Sequence, residues 1–125
     1  MKSAIATGLL WTALCLGALP NVAVSGDRGF SNYDGDTFRA TFRLSGVDTP
    51  EIKGVCDRER ELALRAKRFT QDFLLQGGVV IAQVGTDRYG RILATVRRGE
   101  SDLGEELMAA GLARKWRGRR ESWCE

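Results

Sequence analysis

Histidine is absent from the chain. Without an imidazole there is no Ser-His-Asp or Cys-His hydrolase here and no His-ligated zinc. Cysteine is nearly as scarce: Cys15, Cys56 and Cys124 make up the whole complement, too few for a structural zinc site. Proline occurs twice; Pro20 closes an apolar run, and Pro50 ends regular structure because its ring fixes φ and its nitrogen has no hydrogen. Neither sign of charge dominates, the formal net charge being +3. No hydrophobic run reaches the ~20 residues that span a bilayer. Internal repeats, low-complexity segments and interdomain linkers are missing as well.

The apolar run that does occur, Ala4 to Leu19, follows Lys2, the sole charge before Asp27, and leads to the small residues Ala23 and Ser25 ahead of Gly26. This is the pattern of a secretory signal peptide over residues 1–25. An uncleaved membrane anchor is the alternative, which the length of the run disfavours. Cys15, preceded by Thr12, Ala13 and Leu14, does not suit a lipid-attachment box. The expectation is a secreted or periplasmic chain without membrane attachment after cleavage, whose residues 26–125 form one small domain. In an exported protein the remaining pair, Cys56 and Cys124, is expected to form a disulfide, with two free thiols as the alternative. Closing so long a loop stabilises by about 4 kcal/mol on a chain-entropy argument.

Along that domain, residues 37–44 (TFRATFRL) are rich in β-branched and aromatic types and read as strand. Asp57 is the expected N-cap of a long helix, with Glu59 and Glu61 in its first turn and Leu62, Ala66, Phe69 and Phe73 on one apolar face, ending at Gly77-Gly78. Residues 79–84 (VVIAQV) and 92–96 (ILATV) form a hairpin through the polar loop 85–91 (GTDRYGR). A short helix carrying Leu103 and Leu107 follows, with Gly111 just past its end. The order describes an α+β domain, and a small closed or nearly closed barrel would protect its strand edges.

Residues 33–51 (YDGDTFRATFRLSGVDTPE) hold the candidate chemistry. Asp36 and Asp48 are hard oxygen donors of the kind calcium or magnesium prefers. Asp34-Gly35-Asp36 is similar to the start of an EF-hand loop, but nothing downstream supplies that motif's other ligands. Glu51, directly after Pro50, could orient or deprotonate a water. Arg43 and Arg91 are planar, permanently charged forks suited to phosphate oxygens. Such parts suffice for phosphodiester hydrolysis, although DGDT alone would be only a turn and each arginine alone only a surface charge. The basic C-terminus, with Arg114, Lys115, Arg117, Arg119 and Arg120, favours a polyanionic partner or is a solvated tail.

Four stretches in order, DGDT at 34–37, FRLSGVDTPE at 42–51, TDRYGR at 86–91 and GLA at 111–113, resemble the staphylococcal (micrococcal) nuclease, or thermonuclease, family. The resemblance implies an OB-type five-stranded barrel with one long and one short helix, and calcium-dependent cleavage of DNA and RNA; a monomer is the expected state. It implies Ca2+ ligation by Asp36, Asp48 and the carbonyl of Thr49, and a general-base or water-positioning role for Glu51. It further implies scissile-phosphate binding by Arg43 and Arg91, and substrate contacts from Arg88, Tyr89 and Trp116. Two departures from the family stand out. Only six residues separate Asp36 from Arg43, where the family has a longer hairpin. A pinched turn at Arg39-Ala40 would set Asp36 opposite Arg43, whereas a straight run would carry it away. The family's last helix is missing or reduced, and a Cys56–Cys124 bridge would anchor the tail in its place. An OB-type nucleic-acid-binding module with a spoiled metal site is therefore the competing expectation.

Overall fold

The computed structural model describes residues 29–125. The expected signal peptide lies outside the described residues. Strands β1 (Phe30–Asn32) and β2 (Phe38–Ala40) form an antiparallel hairpin. β3 (Phe42–Leu44) and β4 (Val47–Asp48) are joined by the turn Ser45-Gly46, in which Gly46 takes a φ of 75° that a side chain would oppose. Helix α1 (Asp57–Leu75), the hairpin of β5 (Val80–Thr86) and β6 (Ile92–Arg98), the short β7 (Ser101–Asp102), helix α2 (Leu103–Ala109) and β8 (Arg114–Lys115) complete the order.

The principal sheet runs β3-β6-β5, with β3 parallel to β6 and β5 antiparallel to it; β7 also pairs with β6. The alternation of β6 is clean: Ile92, Ala94 and Val96 are buried, as expected for one covered face. Val96 joins Ala66 and Phe73 of α1, Leu103 and Leu107 of α2, Val47, Leu112 and Ala113 in one core, and Leu62 and Phe69 pack against it. The helical face expected from the sequence is therefore the face that is used.

Three features differ from the expectation in detail. The N-cap of α1 is Cys56 rather than Asp57: Cys56 is extended (φ −134°, ψ 161°) and its Sγ accepts the Glu59 N–H, which places Asp57 inside the first turn. Arg39 and Ala40 are strand, opposite Ser31 and Phe30, so the chain reverses at residues 33–37 and then runs on through Thr41 into β3. β1 pairs only with β2 among the described residues. Among the described residues the α+β class, the long helix and the short helix are present, while the strands divide into three sheets with no pairing that closes a five-stranded barrel. Beyond Gly111 the chain forms no helix; it returns along β4 as β8 and ends in a tail tied by the Cys56–Cys124 disulfide. No described helix is long and apolar enough to cross a membrane.

Candidate functional site

The β5–β6 loop is built around one carboxylate. Asp87 accepts hydrogen bonds from the backbone N–H groups of Tyr89 and Arg91, both at 2.9 Å, and from Arg91 Nε at 2.5 Å. Burial raises the Asp87 pKa, but the Arg91 and Tyr89 donors and the Arg91 charge outweigh it and hold the carboxyl below its usual range. The contact of Arg91 with Asp87 is made through Nε. Two guanidinium groups approach the Tyr89 ring, Arg88 at 4.9 Å and Arg91 at 5.4 Å from its centroid, within cation–π range.

Arg43 reaches the same place from β3, since the parallel register sets it beside Leu93, two residues past Arg91. Trp116 arrives from the other end of the chain: β8 pairs with β4, and the Trp116 N–H donates to the Gly46 carbonyl at 2.9 Å. Arg43, Arg88, Tyr89, Arg91 and Trp116 together line a cavity of about 590 Å³. Arg43 and Arg91 also border a neighbouring cavity of about 620 Å³, largely apolar, in which Thr49 takes part.

The expected carboxylates are arranged differently. Asp48 is buried, 6% exposed, and its Oδ2 accepts from Trp123 Nε1 at 3.2 Å. Glu51 is exposed and forms an ion pair with Arg120. Asp36 lies on the exposed β1–β2 turn, where its Oδ1 accepts from Thr37 Oγ1. The extended run of residues 37–42 separates it from Arg43 by on the order of 20 Å of chain. Calcium takes six to eight oxygens at about 2.3–2.6 Å. Among the described residues the single group of three or more acidic or cysteine side chains within ligating reach is Cys56, Glu59 and Cys124, and its two sulfurs are joined to each other. Asp36 and Asp48 thus sit on separate elements, the exposed β1–β2 turn and the buried β4.

Two contributors to the acidic site are not apparent from sequence motifs. Glu59, expected only as a dipole partner in the first helical turn, is 4% exposed and accepts the backbone N–H groups of Glu51 and Val55, both at 3.2 Å. Arg120, expected only as part of a basic tail, bridges Glu51 and Glu59. The Glu51 N–H, aided by Arg120 and the Val55 N–H, outweighs desolvation and lowers the Glu59 pKa. The one sequence signal for this arrangement is the Cys56–Cys124 pair, which brings the tail to the start of α1.

The family model for staphylococcal nuclease homologues matches residues 41–123. A protein of Schizosaccharomyces pombe described as a probable endonuclease is 32% identical over 89 residues, 66% of this chain and 39% of the relative. The chain thus spans well under half the length of that relative.

Proposed function

Because the chain belongs to the family of staphylococcal nuclease homologues, we propose that it is an exported nuclease that hydrolyses phosphodiester bonds of DNA or RNA with little sequence preference. The convergence of Arg43, Arg88, Tyr89, Arg91 and Trp116 on one cavity carries the reading. Guanidinium forks bind phosphate oxygens in fixed geometry, and aromatic rings offer any base a stacking surface. That combination accepts a nucleic-acid strand without reading its sequence. Arg43 and Arg91 stabilise the charge that develops on the phosphate, and Arg91 assists the leaving oxygen. Glu51 orients the attacking water. Arg88, Tyr89 and Trp116 hold the flanking nucleotides.

Calcium dependence belongs to this proposal through the family and through the hard oxygen donors Asp36, Asp48 and Thr49. An exported location belongs to it through the signal peptide expected from the sequence and the disulfide. The test is digestion of single-stranded DNA and RNA by the purified protein with calcium and with a chelator. Cleavage with calcium, arrest by the chelator and a loss of at least about 100-fold in kcat/KM for Arg91→Ala are expected. Cleavage untouched by either change would overturn the assignment. A binding module is the second reading, favoured by the placement of Asp36 on a hairpin apart from Asp48. It predicts salt-dependent binding without cleavage and without a calcium effect.

A further inference from the structure

The loop from Glu51 to Val55 is held to helix α1 by a single buried side chain. Both oxygens of Glu59 are engaged: Oε1 by the Glu51 N–H and by Arg120, Oε2 by the Val55 N–H. The loop bends so closely over this carboxylate that a Cβ at Gly54 would fall 2.5 Å from Glu59 Cγ and Cδ. Arg60 grips the same loop from outside, its Nη1 donating to the Gly54 carbonyl at 2.6 Å. A glutamate whose task was to complement the helix dipole would stay in water, where that effect needs no burial. Glu59 instead sets the backbone of the segment that begins with Glu51.

The carboxylate of Glu51 is fixed from the other side. Arg120 stands 69 residues away in sequence, yet its Nη1 donates to Glu51 Oε1 while its Nη2 donates to Glu59 Oε1. One planar fork thereby ties an exposed carboxylate to a buried one. The arm carrying Arg120 is pinned on both sides, by the β8–β4 pairing before it and by the Trp123–Asp48 hydrogen bond and the Cys56–Cys124 bridge after it. Trp123 is in turn stacked under Arg114, whose guanidinium carbon lies 3.8 Å from the indole centroid. Arg120 engages Glu51 Oε1, and the Glu51 side chain stays 60% exposed to water.

We propose that Glu59 and Arg120 are positioning residues for Glu51, the first fixing its backbone and the second its carboxylate, with the disulfide holding the arm that supplies Arg120. The proposal rests on the nuclease reading, in which Glu51 acts on the attacking water. It extends the machinery of that reaction to the C-terminal tail.

The experiment compares the parent protein with Arg120→Ala, Arg120→Lys and Glu59→Gln in steady-state cleavage of single-stranded DNA. Each variant is assayed at a temperature where circular dichroism shows it fully folded, and DNA binding is measured in parallel. Misplacing a reacting group by about 1 Å costs up to ~100-fold, so Arg120→Ala is expected to lower kcat by at least about tenfold. KM and the Kd for DNA should stay within about twofold, because the tail network does not line the substrate cavity. Arg120→Lys, which keeps the charge but not the two-pronged geometry, should recover part of kcat. Glu59→Gln should reproduce the kcat loss. An unchanged kcat in folded Arg120→Ala overturns the positioning role. A raised kcat overturns it too and makes Arg120 a brake on Glu51. A parent protein that binds DNA without cutting it defeats the nuclease reading itself, a result distinct from both.

Discussion

Arg91 is held by one carboxylate, and the two partners of that contact, Arg91 and Asp87, are expected to behave differently on substitution. Arg91→Lys keeps a charge but loses the planar fork that pairs with Asp87 through Nε. It should recover little of the activity lost in Arg91→Ala. Asp87→Asn keeps the shape of the loop and removes the charge that orients Arg91; a rise in KM for DNA is expected, measured by steady-state kinetics. Glu59 makes a different residue-level prediction, one about pH. Its folded pKa lies below the ordinary 4.5. The ionised form therefore contributes stability at pH values above about 4.5, and that contribution is lost as the pH falls through the folded value. Thermal melts should show Tm dropping as the pH is lowered below about 4.5, and Glu59→Gln should shrink the drop. Nothing in the motif DTPE announces this glutamate. Residues proposed to touch phosphate come in recognisable words, such as DRYGR, whereas a buried carboxylate receiving loop amides is defined only by how the chain folds over it.

At the scale of elements, the long helix was legible because four apolar side chains at helical spacing leave it one way to face the core. The β5–β6 hairpin was legible for the same kind of reason, two β-branched runs around a polar loop. The cap falls one residue before Asp57 because a cysteine, which seldom caps a helix, accepts the Glu59 N–H here. Residues 37–44 were legible as strand, but not the direction in which the chain turns: the reversal falls at the Asp34-Gly35 turn, where turn-forming residues lie, and not at Arg39-Ala40, where none do. Gly54 tests the fit between loop and helix. Gly54→Ala would force the added methyl against Glu59. A lower Tm and a lower kcat are expected together, read by calorimetry and by cleavage kinetics.

For the molecule as a whole, the covalent tie and the core share the work of holding a small domain. The Cys56–Cys124 bridge closes a loop of 68 residues in sequence separation, worth about 4 kcal/mol in the chain-entropy picture. Reduction, or Cys124→Ser, should lower the urea midpoint by a corresponding amount. Leu107, among the most deeply buried side chains, should cost about 2–5 kcal/mol as Leu107→Ala. The central claim is that this assembly cuts nucleic-acid strands, and a closed circular single-stranded DNA tests it most directly because it has no ends to trim. Incubated with purified protein and calcium, the circle should convert to linear molecules and then to short fragments, while Arg91→Ala leaves it intact. Circles that remain closed although the protein binds them in a salt-dependent way would contradict the claim.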